Sequence, residues 1–313
     1  MIFSDYRVIM QEKFERQNSI KELEYHAAGA CVHIGPVSPG CRACFTGEDH
    51  TGFQIGTKCQ FKCPMCYYDR KKNDSGVRKD VATRLTDHFY NGLFADQNKL
   101  VGISFQSSGE TLYYMNDIHN FCTINKRIEN IRNVAIYQFL YTNGVLANKI
   151  NLKLLWDMNI DEIRFHVSAS DFSKAVIDNM YEASKMGFTV TVEEPSWPAH
   201  KKKLIEFLPT MKDIGVSHLD IVEVQVTEWN KSDIDAVYPK GRYYKDSLYH
   251  MYDEGMVYDI IEEVIAKGYS FSVIDCNSWV ERHRQIVIFN KALFDLNSVE
   301  GMCAPFKGHK KEK

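Results

Sequence analysis

Three cysteines fall within eight residues in the stretch KCQFKCPMCYYD, where Cys59, Cys63 and Cys66 are spaced C-x3-C-x2-C. Nine cysteines scattered over 313 residues would almost never give that spacing by accident. Thiolates so close on a short loop suit a soft metal centre. A second group lies just upstream in ACVHIGPVSPGCRACF, which carries Cys31, Cys41 and Cys44. Gly40 precedes its C-x2-C pair and permits the tight turn that lets backbone amides approach a bound sulfur. Cys122, Cys276 and Cys303 stand alone. Of these, Cys122 sits in the amphipathic run IHNFCTINKRIENI and reads as a core thiol.

Three thiolates serve zinc or iron. Structural zinc takes four protein ligands, usually as two C-x2-C knuckles. The Cys59 loop offers three at an asymmetric spacing, with no histidine close behind. A four-iron cluster held by three cysteines keeps one iron open to a further ligand, which is a catalytic arrangement. The spacing therefore favours iron and sulfur over zinc. For the upstream triple both centres stand, and a fourth ligand is missing locally. Cys303, in GMCAPF, or Cys276 would supply it if the C-terminal part folds back.

The elements that must position these loops follow from the apolar pattern. After about residue 50, short apolar runs alternate with longer amphipathic ones, the signature of parallel βα units. The expected strands are 52–56, 100–106, 134–141, 162–168, 188–193 and 218–226. Helices are expected over 171–187, ending at Gly187, and over 199–215, ending at Gly215, with Pro209 as a point where the second kinks or breaks. Six strands with crossover helices predict an α/β fold, a partial (βα)6 TIM-like barrel, with short N- and C-terminal extensions. The division is 1–50, 51–226 and 227–313. Right-handed crossovers put every loop that follows a strand at one end, where functional residues should gather.

A formal net charge of -3 gives no general surface for nucleic acid or membrane, and the basic tail KGHKKEK reads as a frayed end. No apolar run reaches the roughly 18–20 residues that span a bilayer. The first residues carry charges where a signal peptide needs an apolar stretch. The expectation is a cytoplasmic protein, where clustered thiols are metal-binding or catalytic rather than disulfide-bonded.

The loop CQFKCPMC resembles the signature of the radical S-adenosylmethionine (radical SAM) superfamily, and the resemblance covers about 53–226. It implies a [4Fe-4S] cluster on Cys59, Cys63 and Cys66 whose free iron chelates S-adenosyl-L-methionine. Reductive cleavage then gives a 5′-deoxyadenosyl radical that abstracts hydrogen from a small-molecule or peptide substrate, with an electron donor such as flavodoxin or ferredoxin. SSGET (107–111) is similar to the family's Gly-Gly-Glu motif, with Ser108 in place of the first glycine, then Gly109 and Glu110. Glu110 would accept charge-assisted hydrogen bonds from the methionine ammonium. Met65 matches the position whose backbone meets the adenine. The two-residue strand period puts Arg164, His166 and Ser168 on one face. The resemblance gives Ser168 a ribose contact with His166 or Arg164 beside it, although an internal hydrogen-bond network serves those two equally. Glu193 or Glu194 would bind ribose or substrate, and Asn143 either contributes there or shapes a turn with Gly144.

The upstream segment resembles that of certain radical SAM proteins in which Cys31, Cys41, Cys44 and Cys303 would hold a second, auxiliary iron–sulfur cluster. Cys276 has three readings: hydrogen donor to a substrate radical, fourth auxiliary ligand, or inert thiol. Two other functions compete with a substrate-directed enzyme. One is an activase that installs a glycyl radical on a partner, and the other a non-catalytic iron–sulfur carrier or scaffold. A carrier has no use for Glu110 or a polar face on the fourth strand.

Overall fold

The computed structural model describes residues 1–26, 31–46, 50–69, 100–245 and 248–277. Cys303 lies outside them. In chain order the elements are β1 (Ile2–Phe3), α1 (Tyr6–Ser19), β2 (Glu24–His26), β3 (Cys31–Ile34), α2 (Pro39–Thr46), β4 (His50–Gln54) and β5 (Leu100–Gln106). Then follow α3 (Met115–Arg132), β6 (Ala135–Thr142), α4 (Lys149–Asp157), β7 (Glu162–Phe165), α5 (Lys174–Met186), β8 (Thr189–Pro195) and α6 (Lys201–Ile214). The remainder is β9 (His218–Val222), β10 (Gln225–Val226), α7 (Lys231–Val237), β11 (Arg242–Lys245), β12 (Tyr249–Met251), α8 (Met256–Lys267) and β13 (Ser272–Cys276).

The main sheet has nine strands in the order β2-β3-β13-β9-β8-β7-β6-β5-β4. From β4 to β9, and on to β13, every neighbouring pair is parallel. The β2–β3 hairpin extends that array antiparallel to β13. The partial barrel is thus one parallel strand larger than the sequence reading, because β13, from the expected C-terminal extension, belongs to it. The sixth expected run also divides. β9 stops at Val222, and Gln225–Val226 joins a small second sheet, β1-β11-β12-β10.

The helices cover the outside of the sheet with apolar stripes at helical spacing: Val176, Met180 and Ala183 of α5, and Leu204, Phe207, Leu208 and Met211 of α6, are all buried. Gly187 and Gly215 end these helices with left-handed φ of 95° and 82°, as a C-terminal cap requires. Pro209 lies inside α6 without ending it.

The other face curves around α2. This helix packs on β4, β5 and β6, yet its Cys41 thiol donates to Asp220 Oδ2 of β9 at 3.1 Å. In a flat sheet β5 and β9 would lie about 19 Å apart, too far for one helix of about 10 Å to reach both. At Gly40 the backbone comes so close that a Cβ would sit 2.9 Å from the Phe139 ring and 3.0 Å from the Arg164 guanidinium.

Candidate active site at the ends of the parallel strands

The cysteine loop leaves β4 held against the loop that follows β5. Ile55 N donates to Gln106 O (2.8 Å), Ser108 N to Gly56 O (2.8 Å) and Glu110 N to Lys58 O (2.7 Å). Tyr114 Oη accepts from the amides of Thr57 and Lys58 at 2.9 and 2.8 Å. The two loops touch so closely that a Cβ on Gly109 would lie 2.2 Å from Lys58 O. This is the physical need for glycine in SSGET.

Beyond Lys58 the loop crosses the strand ends. Gln60 Nε2 donates to Asn143 Oδ1 at 2.9 Å, Phe61 N to Cys59 Sγ at 3.4 Å, and Asn143 Nδ2 stands 4.0 Å from the same sulfur. Asn143 therefore both turns the chain after β6 and touches the cysteine loop. At the far side Met65 is buried among Trp197, Val224, Val226, Ile234 and Met251. Its carbonyl accepts from Asn230 Nδ2 at 3.0 Å, and Tyr67 O accepts from Thr227 Oγ1 at 3.0 Å. Cys59 is exposed, and Cys63 and Cys66 are half-buried.

The donor set fits an iron–sulfur cluster: three soft ligands on one tethered loop, with a backbone amide already aimed at a sulfur. Among the described residues, no three His, Cys, Asp or Glu side chains are drawn close enough to hold a metal ion. Cys41 is buried against Arg164 and Asp220, the backbone of Cys31 pairs with that of Cys276, and Cys303 lies outside the described residues. Cys44 is half-buried near Tyr141.

Glu110 is fully buried. Its Oε1 accepts from Leu112 N at 2.9 Å and Thr142 Oγ1 at 2.7 Å, and its Oε2 from Asn143 N at 2.8 Å. Burial raises its pKa against the pull of those donors. The carboxylate thus ties the end of β5 to the end of β6, while its neighbours Ser108 and Gly109 meet the cysteine loop.

Arg164 is the hub of the interior. Its Nη1 donates to Glu193 Oε2 at 3.1 Å and Asp220 Oδ2 at 3.0 Å, its Nη2 to Ser38 Oγ and Cys41 Sγ at 3.1 Å each. Its Nε lies 2.9 Å from Glu162 Oε1, and its guanidinium rests 4.4 Å from the Phe139 ring centre. Arg164 therefore stands in an internal network that joins α2, β7, β8 and β9. Three carboxyls share this single cation, and at Glu193 and Asp220 burial outweighs its pull. Glu193 is pushed up to about 7, mainly by burial, and Asp220 is also raised. Burial lifts the Cys41 thiol well above its ordinary range, which keeps it a proton donor.

The expected common face of Arg164, His166 and Ser168 is corrected. β7 ends at Phe165, and 167–170 form a 3-10 turn, so strand alternation stops before His166. Glu194 gathers this turn instead, accepting from Ser168 N at 3.0 Å, with His166 Nε2 3.8 Å from its other oxygen. Burial raises Glu194 to about 8 and lowers His166 to about 4. A third of the His166 side chain stays open to solvent.

Sequence reasoning missed Glu162, Asp220, Ser38, Thr142 and Asn230, all polar and buried. It also gave no role to Tyr67 and Tyr68, whose rings lie 4.2 Å apart with their hydroxyls 3.1 Å from each other. Tyr68 bonds to Ser108 and Gln54, and Tyr67 lies near Glu193. The pair therefore bridges the cysteine loop, the SSGET loop and the interior.

Among solved structures the chain aligns with native anSMEcpe with bound AdoMet at a TM-score of 0.50 and 14% identity, over 72% of this chain and 63% of that one. SuiB of Streptococcus suis bound to S-adenosylmethionine aligns at a TM-score of 0.46 and 16% identity, over 72% of this chain and 53% of that one. The chain therefore spans less than two thirds of the length of either. No family model matches it, and no curated protein does. The first likeness shows the fold alone: this chain shares with native anSMEcpe a mixed α/β fold built on a parallel sheet. No helix of the described residues is long and apolar enough to cross a membrane.

Proposed function

We propose that this protein is a radical SAM enzyme whose cysteine loop carries a [4Fe-4S] cluster on Cys59, Cys63 and Cys66. The observation that carries the reading is the three-thiol loop at the C-terminal end of β4, hydrogen-bonded to the SSGET loop after β5 and to Asn143 after β6. When bound, the cluster supplies the electron that cleaves S-adenosylmethionine to methionine and a 5′-deoxyadenosyl radical.

This chain's residues then have distinct tasks. Ser108, Gly109 and Glu110 set the backbone on which the methionine end lies, and Met65 anchors the loop at the adenine side. Ser168, His166 and Glu194 line the ribose side, with Glu193 toward the substrate. Tyr67, near Glu193, and Tyr141, whose ring centre is 5.5 Å from the Arg164 guanidinium, border the space above Arg164. The substrate, a small molecule or a peptide side chain, enters that space. Exposed Cys59 leaves the cluster within reach of an electron carrier such as reduced flavodoxin or ferredoxin.

The test is anaerobic reconstitution followed by incubation with S-adenosylmethionine and a strong reductant. About four irons per chain and release of 5′-deoxyadenosine are expected, both abolished when Cys59, Cys63 and Cys66 are replaced together by alanine. A protein that binds iron without forming 5′-deoxyadenosine would be a carrier or scaffold. Formation of a glycyl radical on an added partner would make it an activase.

A further inference from the structure

Cys31 and Cys276 are 245 positions apart in the chain and directly opposite each other in the sheet. β3 runs antiparallel to β13 over four paired residues, from Val273 opposite Ile34 to Cys276 opposite Cys31. Opposed Cα atoms in such a ladder lie about 4.5 or 5.5 Å apart, inside the range of roughly 4.4–6.8 Å that a disulfide spans. By register alone the two backbones stand at the separation a disulfide requires.

The neighbouring strand fixes the face on which Cys276 sits. Ser272 Oγ and His218 Nδ1 are 2.7 Å apart, so the even-numbered residues of β13 share the face of β9 that carries His218 and Asp220. Alternation puts Cys276 on that same interior face, at the end of the strand where the catalytic loops gather. The residue is partly open to solvent. The upstream cysteines consequently divide between two places. Cys41 is engaged by Asp220 and Arg164, and Cys31 is aligned with a partner from the other end of the chain.

We propose that Cys31 and Cys276 form a redox-active thiol pair at the mouth of the curved sheet, exchanging between dithiol and disulfide with a low-molecular-weight disulfide such as oxidised glutathione. One thiolate of the pair attacks the oxidant's S–S bond, forming a mixed disulfide and releasing one glutathione thiolate. The second protein thiolate then attacks the protein sulfur of that mixed disulfide and expels the second glutathione. Two protein thiols become one S–S bond, the oxidant's S–S bond becomes two thiols, and two electrons and two protons pass to the oxidant. Closing the bond pins the N-terminal hairpin to the last parallel strand. Opening it returns a thiol at Cys276 to the cleft face. The proposal stands on the strand register and does not depend on the cluster at Cys59, Cys63 and Cys66.

The test uses the full-length, cluster-loaded protein equilibrated anaerobically in glutathione buffers of increasing oxidised fraction, then acid-quenched, alkylated with N-ethylmaleimide, digested and analysed by mass. The expected result is a linked Cys31–Cys276 peptide pair that rises to more than half of the chains and is lost on adding dithiothreitol. Cys276→Ser should leave Cys31 alkylated or glutathionylated at every ratio. Alkylation of both residues in the wild type across the whole range overturns the proposal, as does linkage of either to another cysteine. So does protection of both until iron is chelated, with Cys31→Ser and Cys276→Ser each lowering bound iron, because that makes them cluster ligands.

Discussion

Glu110→Ala would strand three donors at once: the amides of Leu112 and Asn143 and the hydroxyl of Thr142. Buried polar groups without partners cost about 1–3 kcal/mol each, with partial relaxation on truncation. A loss of about 2–4 kcal/mol in urea unfolding is expected, together with weaker S-adenosylmethionine binding as the loops part. Unchanged stability would show that Glu110 does not tie β5 to β6. Glu194 acts through pH. Its folded pKa of about 8 lies above the ordinary 4.5, so the stability it contributes is complete below pH 4.5 and is lost as pH rises toward 8. Glu194→Gln should therefore flatten the decline in melting temperature between pH 5 and 8, a change on the order of a few kcal/mol at the alkaline end. Parallel curves for wild type and variant would contradict the raised pKa. At this scale the sequence was only partly legible. The polarity of Arg164 and Glu193 was plain, but Asp220, 56 positions from Arg164, and Ser38, 126 positions away, meet it only through the curvature of the sheet.

Strand and helix starts were mostly readable because apolar period and glycine caps are local signals. Errors arose where a strand stops early. Nothing in EIRFHVS marks the change from β7 to a 3-10 turn after Phe165, since the residues on both sides are buried apolar and polar alternates. The same holds for HLDIVEVQV, which continues in pattern while its backbone changes sheets. The contact between the cysteine loop and the SSGET loop is a relation between elements, and it can be tested as one. A methyl at residue 109 has no room beside Lys58 O. Gly109→Ala should force the loops apart, cost about 1–3 kcal/mol, and reduce iron retained after desalting. Wild-type stability and iron in that variant would mean the two loops are not in contact.

Across the whole molecule, α1 is clamped to elements far along the chain by buried polar groups. Lys13 pairs with Glu223, whose other oxygen accepts from Tyr244 Oη at 2.7 Å. Gln17 Nε2 donates to Tyr258 Oη, which in turn donates to Asp275 Oδ2, both at 2.8 Å. Lys13 also lowers the pKa of Asp253, which burial still lifts to about 6. Removing this one cation leaves buried carboxyls uncompensated. Lys13→Met should destabilise the protein by about 3–5 kcal/mol near pH 7, with a smaller loss near pH 5 as the carboxyls take up protons. A pH-independent loss would argue for packing alone. None of these partners was visible in the sequence, because a lysine in an amphipathic helix looks like any solvated one until its neighbours are known.

The hairpin of β2 and β3 has a consequence for how the molecule is made. Its inner neighbour in the sheet, β13, is synthesised more than 230 residues later, so for most of translation β3 has β2 alone to pair with. An exposed ladder edge of this kind recruits other strands. Pairings of such long sequence separation also form slowly. Nascent chains released before Cys276 should therefore aggregate or hold chaperones through the β3 edge, whereas chains that include β13 should not. Pelleting of C-terminally truncated chains ending before and after residues 272–276, from a cell-free translation, would show whether that strand is the one that closes the sheet.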